Sequence, residues 1–206
     1  MEENSTENIK VGVRIRPLNE RELLNGGVKK WQVQSSNTIK EVDGETKFVF
    51  DRVYDEDTST TEIYSEQGHI VIQKFMQGFH GCIFCYGQTG SGKTHTMYGD
   101  RKKYPGIVPI SVDQIFANIE ESKGSDFLLR CSYVEIYNES VNDLLNPEKL
   151  NLNIVEDKKN GVKIRDVTEN ICTSFSQVAS LLQIGEKHKN VASTNFNQRS
   201  SRSHSM

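Results

Sequence analysis

The sequence predicts an α/β fold, a mostly β central sheet flanked by helices, and three observations carry that expectation. Strand-like and helix-like runs alternate along most of the 206 residues. Gly87-Gln88-Thr89-Gly90-Ser91-Gly92-Lys93-Thr94 fills the phosphate-loop pattern G-x-x-x-x-G-K-[ST] at every fixed position. The run 82–86 before it is apolar and aromatic and reads as a buried strand, while Lys93 onward can open a helix, which is the strand, loop, helix order such a pattern requires.

From the N-terminus, Ile9 to Arg16 alternates apolar with small or basic residues and is stopped by Pro17, so it reads as a strand whose Arg14 and Arg16 emerge on one face. Turn signals at Asn25-Gly26-Gly27 and Asp43-Gly44 precede a second strand-like run, Phe48 to Tyr54. Ile63, Ile70, Val71 and Phe75 keep approximate helical register and predict a helix over 61–76. After the phosphate loop, a polar basic loop at 99–106 interrupts the helix, and Ser111-Val112-Asp113-Gln114 fits a capping box for a second one. Phe127 to Tyr137 is the longest strand-like run. Residues 153–155 and 162–167 flank Lys158-Lys159-Asn160-Gly161 as a hairpin, and Ser174-Phe175-Ser176-Gln177 opens a last helix closing near Lys187, His188 and Lys189.

Composition excludes several classes. With 25 basic against 28 acidic residues the formal net charge is −3, so there is no global attraction to nucleic acid or anionic lipid. No apolar run reaches the roughly 20 residues that a membrane helix needs, and the polar, acidic start is unlike a secretory signal. The four cysteines include a CxxC at Cys82 and Cys85, but no second pair completes a zinc site; on a strand the two would face opposite sides. They read as buried, reduced structural thiols, which points to a cytosolic or nuclear setting.

The phosphate-loop glycines let backbone N–H groups converge on a triphosphate, Lys93 supplies a point charge, and the Thr94 hydroxyl can ligate Mg²⁺. The bland alternative is a glycine-rich turn. The stretch Val191 to Met206 is polar and ends in serines, arginines and His204, which suits either a solvated tail or a loop meeting a γ phosphate and its metal.

Five segments together resemble the kinesin motor domain: Val13 to Asn19 (VRIRPLN), Phe48 to Tyr54, Gly87 to Met97 (GQTGSGKTHTM), Tyr133 to Glu139, and Asn195 to Ser205 (NFNQRSSRSHS). They cover nearly the whole chain, in the family's order, with a general look of its centromere-associated class. The resemblance implies ATP and Mg²⁺ as ligands and microtubules as the partner. It implies an adenine shelf of Arg14, Arg16, Pro17 and His95, a choice that suits the stacking capacity of guanidinium, pyrrolidine and imidazole faces. The phosphate cradle is then Gly87, Gln88, Thr89, Gly90, Ser91, Gly92, Lys93 and Thr94. Thr94 and Ser201 become metal ligands, and Asn197, Ser200, Ser201 and Arg202 become a switch that senses the γ phosphate. An ordinary solvated strand face is the plainer reading of Arg14 and Arg16, and His95 alone would be structural.

The 206 residues hold no Asp-x-x-Gly sequence after this switch, and the resemblance implies that the family's microtubule-binding helix and neck linker lie outside them. The sequence is therefore expected to give one partial motor domain over 1–206, incomplete on its C-terminal side. As an isolated chain it is expected to fold poorly, or to bind ATP with little or no turnover. A non-catalytic nucleotide- or tubulin-binding fragment is the alternative. A cytoplasmic, microtubule-associated location follows from the resemblance. Lys158 and Lys159 are candidates for a weak electrostatic contact with acidic tubulin, with a solvated turn as the plain alternative.

Overall fold

A computed structural model describes residues 9–100, 104–157, 161–194 and 203–206. The chain divides into two compact units, 1–111 and 112–206.

In the first unit the Gly12–Arg14 strand pairs in parallel with Arg52–Tyr54, setting Val13 opposite Val53. Trp31–Ser35, Thr38–Glu41 and Lys47–Val49 form an antiparallel three-stranded sheet in which the Trp31 and Phe48 rings meet tilted by 47°, with centroids 5.6 Å apart. The run expected as one strand over 48–54 is thus two strands in two sheets, divided at Phe50-Asp51. The expected helix over 61–76 forms as Thr60–Ile63, a π-helical turn Tyr64–Gly68, and His69–Met76. Ser59 and Glu62 close its N-terminus as a reciprocal capping box. Ile39, Val53, Tyr54, Ile63, Tyr64, Ile72 and Ile107 are the buried apolar residues of this unit.

The expectations for the 82–86 strand, the buried cysteines and the Ser111 cap are corrected here. Residues 82–86 form no strand, because no strand among the described residues pairs with them, and an extended segment without a ladder partner satisfies its backbone through solvent. Phe84 and Tyr86 are consequently 76% and 96% exposed. Only Cys172 is buried; Cys82 is exposed and Cys85 and Cys131 are partly so, although all four are free thiols as expected. Ser111 does not cap a helix. The helix runs Ile107–Glu121, beginning four residues earlier just after Gly106, with Pro109 in the first turn, where its missing N–H costs nothing.

In the second unit the long run from Phe127 breaks into Arg130–Cys131 and Val134–Tyr137. Val134–Tyr137 is the middle strand of three, paired antiparallel with Ser140–Asp143 on one side and Ser203–Ser205 on the other. The hairpin forms as Ile154–Asp157 against Gly161–Ile164. Its turn residues, Lys158 and Lys159 among them, lie outside the described residues.

The last helix spans Phe175–Thr194, one turn longer than expected. Gln177 N–H reaches Ser174 Oγ, while Gln177 Oε1 accepts from Thr173 N–H at 2.7 Å. The helix docks through Gly185, whose missing side chain makes room for Tyr133 and Leu144. Tyr133 donates its hydroxyl to Glu186 at 2.6 Å, and His188 Nδ1 lies 2.7 Å from the Leu144 carbonyl. Asp143, 2% exposed, ties the loop beyond it: Oδ1 accepts from Leu145 N–H and Asn146 N–H, and Oδ2 from Thr168 N–H at 2.7 Å.

Candidate nucleotide site

The 87–94 loop lies wholly within the first unit. Gly90 and Gly92 have φ of +82° and +96°, the left-handed region that only glycine enters without strain, and a Cβ at Gly90 would meet nothing within 4 Å. Ser91 N–H closes a turn on the Gln88 carbonyl at 3.1 Å. The helix Lys93–Tyr98 starts directly from Gly92, which supplies no side-chain cap, and its first bond runs from Thr96 N–H to the Gly92 carbonyl at 2.9 Å. The loop's crest, Gln88 to Gly90, is exposed, as are Thr94 and His95.

Lys93 is folded back over its own loop. Its ammonium donates to the carbonyls of Gly87 and Gln88 at 2.7 and 2.9 Å. The charge therefore sits at the mouth of the loop with neutral oxygens as partners.

Both predicted arginines reach this element. Arg14 Nη1 donates to Thr60 Oγ1 at 2.9 Å and to Thr96 Oγ1 at 3.1 Å, and Nη2 donates to the Thr58 carbonyl at 3.0 Å. It pins the phosphate-loop helix to the Gly12–Arg14 strand and to the start of the Thr60–Ile63 helix. All three acceptors are neutral, and burial pushes the Arg14 pKa down from its ordinary value. Arg16 Nε donates to the Gly90 carbonyl at 2.9 Å, while Nη1 and Nη2 fork onto Glu22 at 2.7 and 2.6 Å. Pro17 follows on the exposed side, its carbonyl accepting from Arg16 Nη1 at 2.8 Å.

Asn197, Ser200, Ser201 and Arg202 lie outside the described residues. What is described of that segment is not a solvated tail: Ser203–Ser205 pairs with Val134–Tyr137, Lys189 donates to Ser205 Oγ at 2.6 Å, and Met206 exchanges backbone bonds with Val134. Sequence reasoning missed Glu22, Thr58, Thr60 and Thr96. For Glu22 a signal was present, since Asn19-x-x-Glu22 is a capping-box pattern and the helix Glu20–Leu24 is closed by it.

The donor set suits a magnesium triphosphate. An open glycine crest without Cβ obstruction, an ammonium held at its mouth and an exposed hydroxyl one residue on are what phosphate oxygens and a hard cation require.

The family model described as "Kinesin motor domain" matches residues 14–206. Two kinesin-like proteins are similar over almost the whole chain. KIN-7K, chloroplastic, of Arabidopsis thaliana is 43% identical over 205 residues, covering 99% of this chain and 21% of its own length. KIN-7E, chloroplastic, of Oryza sativa subsp. japonica is 42% identical over 204 residues, covering 98% and 18%. A solved structure of a fast kinesin superposes with a TM-score of 0.90 at 36% identity, over 96% of this chain and 57% of that one. The fold and the phosphate loop define the P-loop NTPase class of α/β proteins. The chain belongs to the kinesin motor domain family, and it spans about a fifth of the length of these curated relatives.

Proposed function

We propose that this chain is the ATP-binding portion of a microtubule-based motor ATPase, and that the 206-residue chain alone binds magnesium ATP with little or no turnover. The observation that carries the nucleotide reading is the open loop of Gly90 and Gly92 with the Lys93 ammonium across its mouth. Family membership supports microtubules as the partner and the cytoskeleton as the location.

In this reading Lys93 holds the β and γ phosphates, exchanging its two loop carbonyls for phosphate oxygens. Gly87, Gln88, Thr89, Gly90, Ser91 and Gly92 supply backbone N–H groups, and Arg14, Arg16, Pro17 and His95 border the base. The family pattern assigns Thr94 and Ser201 as the residues that would hold Mg²⁺, which when bound supplies charge neutralisation at the phosphates. The same family pattern assigns Asn197, Ser200, Ser201 and Arg202 as the residues that would orient the attacking water.

The test is titration with a fluorescent ATP analogue beside a microtubule-stimulated phosphate-release assay. Saturable binding lost in Lys93→Ala, with no release above background, is expected. Release at a rate typical of motors would overturn the low-turnover half, and the absence of binding would overturn the whole.

A further inference from the structure

The Arg16 guanidinium is held along its edges by two different elements. Its terminal nitrogens fork onto both carboxylate oxygens of Glu22, and its Nε–H donates to the Gly90 carbonyl at 2.9 Å. Glu22 is fixed in turn: its Oε2 accepts from Asn19 N–H at 2.9 Å, and its own N–H donates to Asn19 Oδ1 at 2.9 Å. A chain of hydrogen bonds thus runs from the start of the Glu20–Leu24 helix, through Glu22 and Arg16, to the crest of the phosphate loop. A fork-on-fork guanidinium and carboxylate pair fixes orientation as well as distance.

The far end of that chain is where the loop needs support. Gly90 is exposed, has φ of +82° and no side chain to anchor it. A peptide is planar, so a donor held on the Gly90 carbonyl also fixes the direction of Ser91 N–H, which closes the turn onto Gln88. With its edge donors committed, Arg16 offers a base only its π face.

We propose that Glu22 is a positioning residue for the phosphate loop. It locks Arg16 onto the Gly90 carbonyl, holds the crest in its phosphate-receiving shape, and touches no nucleotide itself. This rests on the nucleotide-binding reading above. The capping box requires only one oxygen at position 22, whereas the fork requires two anionic ones, so Glu22→Gln keeps the cap and removes the lock.

The experiment uses the 206-residue chain and two readouts. The first is amide hydrogen exchange at Gly90, Ser91 and Gly92 without nucleotide, and the second is titration with N-methylanthraniloyl-ATP and Mg²⁺. Glu22→Gln and Arg16→Ala are expected to speed exchange at these amides several-fold while exchange in the Thr60–Ile63 helix stays as in wild type. Glu22→Gln should weaken the ATP analogue about three- to tenfold, and Glu22→Asp, which keeps the charge, should recover part of that loss. Wild-type exchange at the three amides in Glu22→Gln overturns the proposal, whatever the affinity does. If neither wild type nor Lys93→Ala binds the analogue, the nucleotide reading fails, while the exchange comparison still decides whether Glu22 holds the loop.

Discussion

Gly185 and Tyr133 meet where no side chain fits between them: a Cβ on Gly185 would lie 2.2 Å from Tyr133 Cδ1 and 2.5 Å from Cε1. The ring cannot yield freely, since Tyr133 is 2% exposed and its hydroxyl is bonded to Glu186 on the same helix. Gly185→Ala therefore overpacks the contact, at a cost of about 1–3 kcal/mol. The better helix propensity of alanine offsets this by up to about 1 kcal/mol. Urea unfolding should show a net loss that shrinks in a Tyr133→Leu background. A more stable Gly185→Ala protein would show that the helix slides to accommodate it.

Asp143 is the buried carboxylate that organises the turn after the Ser140–Asp143 strand, accepting from three backbone N–H groups. Asp143→Leu leaves those donors without acceptors, and each unsatisfied buried donor costs about 1–3 kcal/mol. A loss of about 3 kcal/mol or more is expected for Asp143→Leu, and a smaller one for Asp143→Asn, which keeps one oxygen. Equilibrium denaturation measures both, and wild-type stability in Asp143→Leu would refute the assignment.

The Glu22 carboxyl is held down to about 2, by the Arg16 guanidinium first and the Asn19 N–H second, from an ordinary 4.5. A depressed carboxyl favours the folded state once ionised. Its contribution is thus whole above pH 4.5 and drains as pH falls from 4.5 toward 2. Carbon-detected NMR of the Glu22 side chain should give a midpoint near 2 in wild type. In Arg16→Ala that midpoint should rise toward 4.5 without reaching it, because the Asn19 N–H remains. A wild-type midpoint at 4.5 would mean that the fork onto Arg16 does not persist in solution.

The parts of this chain that were legible in the sequence are those whose signal is local. The phosphate loop declares itself through Gly87, Gly92, Lys93 and Thr94, and the helix from Phe175 through its Ser174 and Gln177 capping pair. Residues 82–86 misled because apolar composition cannot say whether a pairing strand exists; Phe84 and Tyr86 are exposed, with no pairing strand among the described residues. Arg14 and Arg16 were found by alternation, but their bonds to Thr96 and Gly90 span 82 and 74 residues, and no sequence period encodes such contacts. Composition left the segment around Ser203–Ser205 open between a solvated tail and a loop for the same reason: its strand partner, Val134–Tyr137, lies far away in the chain.

The central claim is that the loop from Gly87 to Thr94 binds magnesium ATP, and heat-detected titration of MgATP into the 206-residue chain tests it most directly. The account predicts a single saturable site that disappears when EDTA replaces Mg²⁺ and in Lys93→Ala, whose folded state is monitored in parallel by circular dichroism. The same binding isotherm in wild type and in folded Lys93→Ala would contradict it.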